Sequence, residues 1–205
     1  MLKAKKRLMI LLSMFLVFSI VGCGEKRPTF EPLNINVDGT EILLGQSTLQ
    51  TFIDAGYRVT LDKSLEEDIA GEAMPTMTYD VAAYVSKDNS IVGMVSFLNN
   101  TKNTIPLEEC IVNEYEIVYK DPSWSGSYDT DNILVDNVNL KGMKLEDVKK
   151  AFEEKMEDYK EFTNPDGSVA IISFDINKVY MSVSFDYETK EVRTVEMKVF
   201  LSHFE

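Results

Sequence analysis

The chain has 205 residues, with 21 Lys and Arg against 34 Asp and Glu, one His, and a formal charge of −13. That acid excess argues against a nucleic-acid binder, which needs a basic footprint for phosphate. A hydrophobic content of 44% argues against wholesale disorder.

The chain opens on a basic run, Lys3, Lys5, Lys6 and Arg7, followed by the apolar stretch Leu8 to Val21. A run of 14 residues is too short for a comfortable membrane span, which takes about 20, but it suits the core of an export signal. The signal ends in Ile20-Val21-Gly22-Cys23, which resembles the bacterial lipobox. The resemblance implies cleavage after Gly22, a lipid on Cys23, and a body held on the extracytoplasmic side of a cell membrane. The expected organisation is a signal peptide over 1–22, a lipidated tether over 23–33, a first unit over 34–120, an inter-unit loop over 121–131 and a second unit over 132–205. Residues 1–22 carry four basic and no acidic side chains, so the mature chain has a formal charge of −17. With Cys23 lipidated, Cys110 has no disulfide partner. Its neighbours Glu108 and Glu109 would raise the thiol pKa, so it reads as a small buried hydrophobe.

Beyond the Pro-containing tether, Ile35 to Val37 predicts a strand, Asp38-Gly39 a hairpin turn and Glu41 to Leu44 the return. Ser47 to Gly56 reads as a short helix. Ser47 would cap it with Gln50 three residues on, Leu49, Phe52 and Ile53 would be buried, and Gly56 would stop it. Tyr57 to Leu61 is a strand and Asp62 to Thr78 is irregular. Strands then follow from Tyr79 to Val85, Ile91 to Leu98 and Ile111 to Tyr119.

Asp121 to Asp131 is rich in Ser, Gly and Asp and divides the mature chain. From Asp121, oxygen side chains fall at alternate positions, with Gly126 sixth, the spacing of a calcium loop. Asn132 stands where such a loop needs glutamate, so a polar connection is the main reading. Calcium on Asp121, Ser123, Ser125 and Asp129 is the alternative. Trp124, the only tryptophan, is either a binding anchor or a residue folded back on a sheet.

Asn132 to Val135 predicts a strand. Leu145 to about Met156 predicts a helix, with Leu145, Val148, Phe152, Met156 and Tyr159 at helical spacing. Three strands follow: Val169 to Phe174, Val179 to Phe185 and Val192 to Phe200. The expected fold is α+β, two similar helix-on-antiparallel-sheet units in tandem. Leu44-Gly45-Gln46-Ser47 and Leu140-Lys141-Gly142-Met143 each precede a helix. This plan resembles the tandem helix-plus-meander domains of the β-lactamase-inhibitor-protein-like group of exported bacterial proteins, over roughly residues 35–200. The resemblance carries no site residues and implies protein binding rather than catalysis.

The chemistry on offer is thin. His203 stands two residues from the end of the sequence, where fraying would disable a nucleophilic triad. No phosphate-cradling glycine loop is present, and no cofactor is implied. Paired carboxylates (Glu66 and Glu67, Glu108 and Glu109, Glu153 and Glu154) read as solvated faces. They leave a small cell-wall hydrolase as the alternative to a non-catalytic binding module. The partners expected are the membrane, through Cys23, and an unidentified protein or envelope component. Their footprint is expected on the sheet faces left uncovered by the helices, at Tyr84, Glu114, Glu116, Tyr180, Ser182 and Arg193, with Trp124 at one edge.

Overall fold

A computed structural model describes residues 30–61, 69, 71, 73–74, 78–79, 82–120 and 129–204. The strands are β1 (Asn34–Val37), β2 (Thr40–Leu43), β3 (Arg58–Thr60), β4 (Ala73–Met74), β5 (Thr78–Tyr79), β6 (Ala83–Lys87) and β7 (Ser90–Asn99). They continue with β8 (Ile105–Pro106), β9 (Ile111–Val118), β10 (Ile133–Val135), β11 (Glu157–Thr163), β12 (Val169–Ile176), β13 (Val179–Phe185) and β14 (Val192–Lys198). Helices α1 (Leu49–Asp54) and α2 (Leu145–Phe152) span only 6 and 8 residues.

This architecture corrects the expected α+β tandem: the described fold is mostly β-sheet, and the strands do not close into two separate helix-on-sheet units. Eight strands lie in one antiparallel sheet, ordered β11-β12-β13-β14-β9-β7-β6-β3, with β5 also paired to β7. The join is β9 against β14, where Tyr115 pairs with Met197 and Ile117 with Val195. A meander ending at β9 leaves one row of N–H and C=O groups unpaired, and so does a meander ending at β14. Pairing the two rows satisfies both, so a single sheet replaces two. A smaller sheet, β10-β1-β2, ties the first hairpin to the strand before α2.

The inner face of the large sheet carries the core. Along one row, Phe174, Met181, Met197, Tyr115, Val95 and Ala83 lie opposite one another on successive strands, and all are buried. Phe52 of α1 stacks on Tyr115 with centroids 6.3 Å apart, and Phe152 of α2 packs on Phe174 at 5.8 Å. Tyr57 Oη donates to the Val37 carbonyl at 2.9 Å, joining the small sheet to the same core. Leu33, expected in the tether, is also buried there, and the Leu44 N–H donates to its carbonyl.

Local details depart from the sequence reading in informative ways. Thr48, not Ser47, precedes α1, and its N–H donates to Thr51 Oγ1 at 3.2 Å. Ser47 instead accepts from the Leu43 N–H through its Oγ. Gly56 has φ +81° and ends the helix as expected. Helix α2 stops at Phe152, and Tyr159, expected on its apolar stripe, lies on β11. Cys110 is fully buried, and its thiol is pushed up to about 12 by burial, with Glu109 and Glu108 adding to the effect.

Candidate functional site

The face of the large sheet away from the helices carries the predicted polar rows. In β6, Ala83 and Val85 point inward and are buried, while Tyr84 alternates with them and is half-exposed. Tyr84 lies opposite Met94, Met94 opposite Glu116, and Glu116 opposite Glu196. The row continues to Ser182 and Ser173. A second row sets Ser96 opposite Glu114, Glu114 opposite Lys198, and Lys198 opposite Tyr180. Five of the six residues expected on this face, Tyr84, Glu114, Glu116, Tyr180 and Ser182, are therefore together on it. Arg193 is not in their phase. It sits at a β-bulge where Phe185 pairs with Val192 rather than continuing to Arg193, and its carbonyl accepts from the Tyr119 N–H.

The centre of this face is electrostatically uneven. Lys198 Nζ donates to Glu114 Oε2 at 2.5 Å, whereas Glu116 and Glu196 are direct cross-strand neighbours of like charge. Burial raises the Glu196 carboxyl above its ordinary range; Glu114 adds to this and Lys198 opposes it. A carboxylate whose folded pKa is raised weakens the fold above its unfolded pKa of about 4 and ceases to do so once protonated. Glu196→Gln is accordingly expected to stabilise the protein at pH 7 by about 0.5 kcal/mol, the scale of a cross-strand charge pair. The gain should shrink to nothing as pH falls below the unfolded pKa. Urea denaturation at pH 7 and pH 3.5 checks this, and an equal gain at both would show that charge is not the cause.

The remaining candidates are scattered. Cys23, Glu66, Glu67, Trp124, Asp121, Ser123 and Ser125 lie outside the described residues. Asp129 is exposed, and its N–H donates to the Ile91 carbonyl at 2.9 Å. It lines a small cleft of about 90 Å³ with Asp38, Lys87 and Asp88. Among the described residues no three His, Cys, Asp or Glu side chains group to hold a metal ion. His203 is not a frayed end. Its ring lies 5.8 Å from both Phe30 and Phe200, and burial, with Lys178 adding, lowers its pKa.

Sequence reasoning missed β11, whose seven residues are all exposed. Beside it, α2 and the strand enclose an open cleft of about 360 Å³ lined by Glu146, Lys149, Lys150, Glu153, Met156 and Tyr159. Lys149 Nζ lies 2.7 Å from Glu161 Oε1 and 5.4 Å from the centroid of the Tyr159 ring. Tyr159 Oη donates to the same Glu161 oxygen. These contacts, the Glu161 hydrogen bond foremost, raise the Lys149 pKa, and Lys149 holds the Glu161 carboxyl below its usual range. Alternation of Tyr159, Glu161 and Thr163 with Lys160 and Phe162 was the signal for this strand.

No protein-family model, curated protein or solved structure matches the chain.

Proposed function

We propose that this chain is a lipid-anchored extracytoplasmic binding module, held to a bacterial membrane through Cys23, whose body engages a protein or envelope component without catalysis. The leader supplies the anchor. The observation that carries the binding role is the outer sheet face. It sets Tyr84 and Tyr180 among small polar side chains and a charged centre of Glu114, Glu116, Glu196 and Lys198. Tyrosines combine apolar area with a hydrogen-bonding tip, the composition of protein interfaces.

Glu116 and Glu196 are the one observation that favours the hydrolase alternative, because burial holds Glu196 toward protonation. They are neighbours on one surface, however. Glycoside hydrolysis needs two carboxyls on either side of a bound sugar, so binding is the better reading.

Photo-crosslinking residues placed at Tyr84 and Tyr180 in membranes are expected to capture the same partner, and one placed at exposed Lys102 is not. Absence of adducts at both positions, with Glu116→Gln abolishing cell-wall cleavage by the purified protein, would replace the binding role with the hydrolase.

A further inference from the structure

The two ends of the large sheet are finished differently. At one end β3 is three residues long, Val59 and Thr60 are buried, and the Val59 carbonyl accepts from the Ile69 N–H at 3.2 Å. At the other end β11 runs seven exposed residues, pairs only with β12, and has no strand on its outer edge among the described residues. Phe162 and its cross-strand neighbour Ile171 are 52% and 37% exposed on the outer face. Natural sheets seldom leave a long edge with apolar side chains uncovered, because its free N–H and C=O groups accept another strand.

We propose that the edge of β11 and the cleft beside it accept an extended segment of a partner polypeptide in which basic and apolar residues alternate. The segment would pair with β11 as an added strand. Helix α2 and β11 share the cleft through Lys149 and Tyr159, and a free edge with a pocket beside it is what strand addition uses.

The alternation follows from the two faces of the strand. An added strand places successive side chains on opposite sides. On the outer side they meet Phe162 and Ile171. On the inner side they meet Glu161 and the cleft, where Met156 and Tyr159 suit the apolar stem of a Lys or Arg. Of the cleft's two cations, Lys149 is already held by Glu161, and Lys150 is offset by the cleft's own Glu146 and Glu153. Among the described residues Glu153 and Glu154, with Glu157 and Asp158 on β11, are exposed and enter no ion pair, so they add negative charge to this end of the sheet. Irregularities between Glu157 and Lys160 and between Phe162 and Thr163 confine regular pairing with β12 to Lys160, Glu161 and Phe162. A second copy of the chain brings the same acid excess and is disfavoured as the occupant.

The proposal rests on the reading that the body binds a polypeptide, and it uses the β11 end of the large sheet rather than the region of Tyr84 and Tyr180. The test takes the mature lipidated protein in detergent micelles with peptides of about ten residues: alternating Lys-Val, alternating Asp-Val, and a Lys-Pro control that lacks half the donors. Hydrogen exchange should slow at residues 160–163 with Lys-Val only. Glu157→Lys combined with Asp158→Lys should weaken binding about tenfold, as for paired rim charges, and Lys102→Ser, at an exposed position outside both surfaces, should leave it unchanged. Phe162→Ser should also weaken it, by a charge-independent route. No protection with any peptide, equal binding of Lys-Pro, or protection that rises with protein concentration alone would overturn the proposal. Failure here with crosslinks retained at Tyr84 and Tyr180 sinks only this site. Peptide binding at β11 with no crosslinks at those positions sinks only the sheet-face reading.

Discussion

Gly93→Ala is expected to destabilise the protein by about 2 kcal/mol, the scale of a methyl forced into a packed core. A Cβ at this position would stand 2.5 Å from both Cζ and Oη of Tyr115. That ring has no easy retreat. It is fully buried, stacks on Phe52 with an interplanar angle of 22°, and donates from Oη to the Val92 carbonyl at 3.1 Å. Burial, before any other cause, also raises its pKa above the ordinary tyrosine range, so ionisation offers no relief at neutral pH. Tyr115→Ala should cost more, about 3 to 5 kcal/mol, because the void left by an aromatic ring collapses only in part. The double variant should cost less than the two together, since the new methyl enters space the ring has vacated. Strict additivity in urea denaturation would mean that the glycine does not serve the ring.

Cys23→Ala is expected to abolish palmitate labelling and release the protein from membranes or leave it misprocessed. One acyl chain gives only reversible attachment, at roughly 0.8 kcal/mol per buried methylene, while two hold stably. If Cys23 carries the lipid, loss of its thiol removes the attachment point altogether. The other cysteine offers no substitute, because Cys110 is fully buried and its thiol is pushed up to about 12. A Cys23→Ala protein that still sediments with membranes in high salt and still takes up palmitate would overturn the lipobox reading.

What the sequence disclosed depended on how local each signal was. The first turn was legible: Asp38 and Gly39 both take positive φ, as residues tolerant of the left-handed region do in tight hairpins. The alternation in β6 and β13 gave the sheet face, so Tyr84, Tyr180 and Ser182 were placed on it correctly. The fold class was not legible. Nothing in Tyr115 or Met197 announces that they will face each other, because pairing between distant strands leaves no local trace. β11 was lost for a different reason. Its charges masked the alternation, and Met156 and Tyr159 happened to fall at helical spacing after Phe152. Arg193 was misplaced because a single bulge shifts every later side chain, and bulges carry no dependable residue signature.

The seam between β9 and β14 also sets the order in which this protein is completed. A chain made from its N-terminus presents β3, β6, β7 and β9 well before β14 exists. During that interval one side of β9 bears bare amides and carbonyls, with Tyr115 and Ile117 on the face it must bury. Only when residues 192–198 arrive does Glu116 meet Glu196 and the exposed edge disappear. Such a distant pairing is slow to form, because the intervening loop must first be closed. The half-made molecule is thus the stage most open to wrong partners, and the last strand to be made is the one that ends its vulnerability.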